Sequence, residues 1–207
     1  MTSLAKPPEV STPYEGYDVL AKWNTPSYDD RTREVVIERL RDIPARRFFT
    51  VEELALLEAI VERLAPAFPL AQRPPIALWI DDRLYKNLGE GFRNEGVPPL
   101  QTSWRMGLAG IDGEAGRLFS AAFSALEPSS RDAVLRAVQN GEVEASLWRD
   151  LDPKSFFSDM LLKTIAGLAY SHPAAWSDIG FGGPASPRGY VRLGFDSRDS
   201  WEAKEYR

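Results

Sequence analysis

Apolar residues recur along most of this chain at three- and four-residue steps, the spacing of one buried helical face. Val35, Val36, Ile37 and Leu40 follow Asp29 and Asp30, either of which can cap a helix running to about Arg41, and Pro44 ends it. Thr50-Val51-Glu52-Glu53 has the form of a capping box, and Leu54, Leu57, Ile60, Val61 and Leu64 give the helix it opens a buried stripe that Pro66 and Pro69 close. Pro74-Pro75 starts a third helix through Ile76, Leu78, Trp79, Ile80, Leu84 and Leu88, with Gly89 as its stop. Pro98-Pro99 precedes a longer helix to about Ala122 with Trp104, Leu108, Ile111, Ala115 and Leu118 on one side. Ser129 or Ser130 caps a fifth around Val134, Leu135 and Val138, ending at Asn140-Gly141. Asp152-Pro153 opens a sixth that carries Phe157, Met160, Leu161, Thr164, Ile165 and Leu168 to about Tyr170. Strand-type alternation is nearly absent, so the pattern predicts an all-α protein of roughly six helices without a substantial sheet.

Gly107, Gly110, Gly113 and Gly116 interrupt this pattern at three-residue steps inside the fourth helix. Each weakens a helix by up to about 1 kcal/mol relative to alanine. Their shared spacing predicts either close approach of another element or a break near Gly113.

The two ends read differently from the middle. Residues 1–28 are rich in proline and aromatic residues (Tyr14, Tyr17, Trp23, Tyr28) and read as an extended arm laid on this chain or on a partner. Residues 177–207 combine glycines and prolines with Phe181, Tyr190, Val191, Leu193, Phe195 and Trp201, too apolar for a solvated tail and too glycine-rich to form a core. The expected division is therefore an arm over 1–28, a helical domain over 29–176 and an irregular arm over 177–207.

Composition narrows the chemistry. The 25 basic and 30 acidic residues give a net charge of −5, which argues against a nucleic-acid binder. The chain has no cysteine, which removes disulfides, iron–sulfur ligation and covalent haem attachment, and His172 is its one histidine. That ligand supply is poor for zinc or non-haem iron, and no catalytic triad is evident. His172 lies where the last helix ends, so a cap on free carbonyls is expected of it. Asp81-Asp82 and Glu52-Glu53 are paired carboxylates, but neighbours on a helix diverge by about 100 degrees, so neither pair converges on one substrate and solvated faces or caps are expected. Gly180-Phe181-Gly182-Gly183 lacks the spacing and the preceding strand of a phosphate loop; a turn whose backbone lies close to another surface is expected. No apolar run is long enough to span a bilayer. Arg46-Arg47-Phe48-Phe49 is superficially similar to a twin-arginine export signal, but Glu52, Glu53, Glu58 and Glu62 interrupt the stretch after it, and the first residues lack a signal peptide's features. A cytoplasmic location is expected on these grounds, or a periplasmic one if the chain is exported with a partner.

Several stretches, in order, resemble the gluconate 2-dehydrogenase subunit 3 family. They are Phe48-Phe49-Thr50 with Glu52-Glu53, then Glu62-Arg63-Leu64-Ala65-Pro66, then Trp104-Arg105-Met106-Gly107-Leu108 with Ile111-Asp112. The last runs from Tyr170 through His172-Pro173 and Trp176 to Ile179-Gly180-Phe181-Gly182-Gly183-Pro184, and Ala185 to Val191 looks like an extension found in a subgroup without an export signal. The resemblance covers roughly residues 46–194. It implies a small accessory subunit with no cofactor of its own. The implied partner is a large glucose–methanol–choline type subunit that holds FAD and the catalytic base, joined in some complexes by a cytochrome c subunit. The chain is then expected to bind, fold and stabilise a dehydrogenase of sugars or alcohols. The rival readings are an independent helical hydrolase using carboxylates and a general scaffold protein.

On this view the partner is met by the arms. Tryptophan and tyrosine are enriched at binding hot spots, which singles out Trp23, Trp176, Phe181, Tyr190 and Trp201 as anchors. Pro184 belongs to the same segment, and Arg188 and Arg192 are available for carboxylates.

Overall fold

The computed structural model describes residues 14–68, 73–89, 96–183 and 199–204. The described residues form eight helices: α1 (Asp30–Arg41), α2 (Val51–Leu64), α3 (Ile76–Tyr85), α4 (Leu100–Phe119), α5 (Pro128–Asn140), α6 (Ala145–Trp148), α7 (153–170) and α8 (Pro173–Asp178). No sheet is present among them. The all-α expectation holds, and the starts of α1, α2 and α7 follow the caps read from sequence. The Asp29 side chain accepts from Thr32 N–H, Thr50 and Glu53 form a complete capping box, and Asp152 accepts from Ser155 N–H with Pro153 at the first helical position. Neither serine caps α5, which starts at Pro128 after Glu127 without a side-chain cap. Two short helices, α6 and α8, add to the expected set. Within α7 the stretch Phe156–Leu162 is π-helical, between an α turn at Pro153–Ser155 and an α segment at Lys163–Tyr170.

The chain divides into two compact units, one made of Met1–Asp42 with Tyr170–Arg207, the other of Ile43–Ala169. This differs from the expected 29–176 body, because α1 and the segment from Tyr170 onward group with the terminal segments. The reason is local packing. In the first unit Val19 and Val36 are fully buried around Trp176, with Tyr17, Leu20 and Trp23 against them. Arg39 of α1 donates to the Ser171 carbonyl at 2.8 Å and stacks over the Trp176 ring. The described part of the N-terminal segment, far from being only extended, contains a 3-10 turn at Val19–Lys22 capped by Asp18.

In the second unit α4 is the central helix and packs against α2, α5, α6 and the π-helical stretch. Leu108, Ile111 and Ala115 of α4 are fully buried with Leu57, Ile60, Val134, Val138, Phe156 and Leu161. α4 runs unbroken through its glycines to Ser120, which closes it in the left-handed region. A Cβ at Gly107 would fall inside the Phe156 ring, one at Gly110 would lie 2.9 Å from Trp148 and one at Gly113 3.1 Å from Leu147. Close approach of other elements thus accounts for three of the four glycines, and Gly116 has nothing near it among the described residues. Two ion pairs join α2 to α5: Arg63 with Asp132 through two hydrogen bonds of 2.8 and 3.1 Å, and Glu62 with Arg131 at 3.0 Å.

Candidate functional site

The loop between α1 and α2 is built around one carboxylate. Asp81 on α3 is fully buried, and its oxygens accept from the backbone N–H groups of Arg47 at 2.6 Å, Phe48 at 3.1 Å and Phe49 at 2.8 Å. Three consecutive amides with no helical or sheet partner thereby find acceptors. Asp81 is thus neither the solvated face nor the helix cap expected of the pair, because it is buried and holds loop amides. Asp82 is half-buried and pairs with Lys86 at 2.6 Å one helical turn on. Asp81 and Tyr85, four residues apart, lie on the same side of α3, and the Arg47 guanidinium stacks over the Tyr85 ring at 5.4 Å. From α4, Arg105 donates to the Phe48 carbonyl at 2.8 Å and stacks over the Phe48 ring at 4.5 Å. Arg46 closes the loop by donating to the Phe49 carbonyl at 2.6 Å.

The other prominent carboxylates of this unit also serve backbone. Glu114, fully buried, accepts from Glu144 N–H at 2.7 Å and from the Trp148 indole at 3.4 Å, and pairs with Arg117. Asp112 accepts from Phe123 N–H at 2.8 Å. These contacts fix turns; they do not converge on a substrate position.

A cavity of about 500 Å³ opens beside α3, lined by Leu84, Leu100, Trp104, Phe156 and Met160 together with Arg83, Asp150, Asp152, Asp159 and Lys163. One wall is the π-helical stretch. π segments recur at functional sites, and apolar cavities of this size with a few polar groups are common binding sites. Asp152 is held below the ordinary carboxylate range by hydrogen bonds from Ser155, as a helix cap should be. That state does not suit the general acid of a carboxyl pair, which has to stay protonated. Among the described residues no group of three or more His, Asp or Glu side chains is placed to hold a metal, and no helix is long and apolar enough to cross a membrane.

The terminal unit contains the described anchors expected from sequence. Trp176 is buried, its indole donating to the Tyr170 carbonyl at 2.7 Å, so its ring is core for its own chain. Trp23 and Trp201 are half-buried. Phe181 meets the Trp176 ring edge-on at 5.7 Å and remains 39% exposed. Pro184, Arg188, Tyr190 and Arg192 lie outside the described residues. The glycine turn has the close surface expected of it, and that surface is the chain's own N-terminal segment. Gly180 and Gly183 have φ of +67° and +68°; a Cβ at Gly180 would lie 2.6 Å from the Tyr14 ring, and one at Gly183 2.7 Å from the Tyr28 hydroxyl.

His172 takes a role opposite to the expected one. It is the N-cap of α8, where Nδ1 accepts from Ala174 N–H at 3.2 Å, followed by Pro173 at the first helical position. Burial and the nearby Arg39 both push its pKa down, which keeps Nδ1 free to accept. The repeated cap-then-proline signal, Asp152-Pro153 and His172-Pro173, is visible in the sequence and would have located α8.

One family's sequence model, described as gluconate 2-dehydrogenase subunit 3, matches residues 51–183. The matched span includes Asp81, Arg105, Asp112, Glu114 and the His172–Gly183 segment. No curated protein and no solved structure matches the chain.

Proposed function

Since the chain belongs to the gluconate 2-dehydrogenase subunit 3 family, an accessory subunit by that description, we propose that it binds and stabilises a flavin-dependent catalytic subunit. The partner in this proposal is a large glucose–methanol–choline type dehydrogenase subunit for sugars or alcohols. That partner holds FAD and performs the chemistry, while this chain contributes surface and fold. The observation that carries the reading is the use made of the buried and half-buried acids in the matched span. Asp81, Asp112 and Glu114 each accept from backbone N–H groups of a neighbouring loop, which suits a rigid binding body. Apolar side chains such as Tyr85, Leu88 and Phe181 meanwhile stay exposed.

The test is co-expression of the chain with a flavoprotein dehydrogenase subunit from the same organism. An equimolar complex carrying flavin absorbance, in which the large subunit melts at a higher temperature than alone, is the expected result. Turnover of a sugar or glycoside by the isolated chain would overturn the reading in favour of a hydrolase acting through the cavity carboxylates. Stable equimolar complexes only with proteins that carry no flavin would overturn it in favour of a scaffold.

A further inference from the structure

We propose that the Asp81-held loop, the last turn of α3 and Arg105 of α4 form the face on which the flavoprotein subunit docks, by placing its carboxylates on Arg47 and Arg105. The proposal rests on the accessory-subunit reading above and names a surface that the arms do not include. Arg47 and Arg105 are exposed, yet each is stacked on an aromatic ring of its own chain. Stacking holds a guanidinium plane still without using its in-plane N–H groups, so Arg47 can present a fork to a carboxylate, while Arg105, whose Nη2 donates to the Phe48 carbonyl, has Nη1 left to offer. Among the described residues no carboxylate lies within ion-pair range of Arg47, and Arg105 meets only Glu53, at 3.7 Å, beyond hydrogen-bond distance. The other oxygen of Glu53 accepts from Thr50 N–H at 2.9 Å, which anchors this carboxylate at the start of α2.

The frame beneath them is stiff. Asp81 fixes the backbone of Arg47, Phe48 and Phe49, and Arg105 ties the Phe48 carbonyl to α4. A partner therefore meets groups already ordered, which reduces the entropy lost on binding. Apolar area for the same contact is supplied by Tyr85 and Leu88, 53% and 54% exposed at the end of α3. Leu88 also lines the cavity, so an apolar side chain beside the partner's carboxylate has a recess to enter. Arginine and tyrosine fixed beside exposed apolar groups are the composition of binding hot spots. Two arginines on a chain of net charge −5 are too few to hold a phosphate polymer, whereas one or two carboxylates on a protein partner match the two guanidinium groups.

The experiment measures affinity of the full chain for the purified flavoprotein subunit by calorimetry, at low and high salt. Arg47→Glu with Arg105→Glu is expected to weaken binding by tenfold or more and to remove most of its salt dependence. Arg47→Lys with Arg105→Lys, which keeps charge but loses the flat fork, is expected to fall between this variant and the wild type. Arg31→Glu on α1, an exposed arginine elsewhere, is the control and should bind normally. Unchanged melting temperatures show that a loss is not unfolding, and the lysine variant carries the test if the glutamate variant does not fold. Wild-type affinity in both arginine pairs overturns this surface while leaving the accessory-subunit reading intact. Absence of any complex with the wild-type chain overturns that reading itself, and this surface with it. Self-association of the wild-type chain that the glutamate pair abolishes would assign the face to a second copy and overturn the proposed occupant.

Discussion

Gly107 and Phe156 occupy one position in space. The ring fills the volume that any side chain at 107 would take, and it sits edge-on to Trp104 at 5.9 Å while also touching Trp148. The π-helical stretch begins at Phe156, so this fit joins the middle of α4 to the widened part of α7. Gly107→Ala should therefore destabilise the protein by about 1–3 kcal/mol, overpacking outweighing the gain in helix propensity. Gly116→Ala on the same helix meets nothing among the described residues and should stabilise by up to about 1 kcal/mol. Denaturant unfolding of the two variants checks both signs; equal effects would mean that the Gly107 contact is easily relieved.

Asp81 is the other residue on which the second unit's local order depends. Asp81→Ala leaves the amides of Arg47, Phe48 and Phe49 without their acceptor and should cost on the order of 3 kcal/mol. Asp81→Asn keeps one oxygen but turns a donor toward donors, for a loss of about 2 kcal/mol. Hydrogen exchange gives the sharper readout: those three amides should lose protection while the amides of α5 keep theirs.

Helices and their caps were legible because each depends on neighbours in sequence. Thr50 with Glu53, Asp29 with Thr32 and Asp152 with Ser155 are all three-residue relationships. The glycine steps in α4 point to close packing or to a break, and the choice between them depends on side chains in α6 and α7 that no spacing along the chain identifies. The features that stayed hidden depend on distant partners. Asp81 looked like half of a solvated pair because its three donors are more than thirty positions away. The π-helical stretch has no sequence signature of its own, and Phe156 reads as an ordinary core residue until Gly107 is placed opposite it. Along the sequence the arms stand out by their aromatic content, and the proposed docking face does not. Arg47 on Tyr85 and Arg105 on Phe48 are contacts between elements, with no pattern along the chain to reveal them.

Acid should loosen the terminal unit through His172. Its folded pKa lies below the ordinary 6.5, by burial first and by Arg39 second. The unfolded chain then binds the proton more readily, so the contribution is complete above pH 6.5 and is lost as pH falls from there toward the folded pKa. Protonation also places N–H on Nδ1, which can no longer accept from Ala174. The chain's one imidazole gives a clean NMR titration, and its midpoint in the folded protein is expected below 6.5. His172→Asn keeps an acceptor at the cap without a titration and should flatten the stability profile between pH 6.5 and the folded midpoint. A midpoint at or above the ordinary value would refute the assignment of Nδ1 as the helix cap.

Phe181 remains the described residue of the C-terminal segment best placed to meet a partner. Its backbone N–H donates to the Trp176 carbonyl at 2.9 Å, so its position is set by backbone as well as by its ring. The ring lies edge-on to Trp176 and is 39% exposed, whereas Trp176 is enclosed by Val19, Val36 and its own helix. The two aromatics therefore separate the roles of fold and contact. Trp176→Ala removes a buried ring and the indole bond to Tyr170, and should destabilise the terminal unit by about 3–5 kcal/mol. Phe181→Ala removes a ring that is only partly covered and should cost the isolated chain about 1 kcal/mol or less. If the segment contacts the flavoprotein subunit, the same substitution should weaken the complex by on the order of 2 kcal/mol, as burial of the exposed part of an aromatic anchor at an interface predicts. Melting of the isolated chain and affinity for the partner, measured on the same preparation, give the comparison. A Phe181→Ala chain that melts far lower than the wild type yet binds its partner normally while folded would make the segment a strap on its own unit.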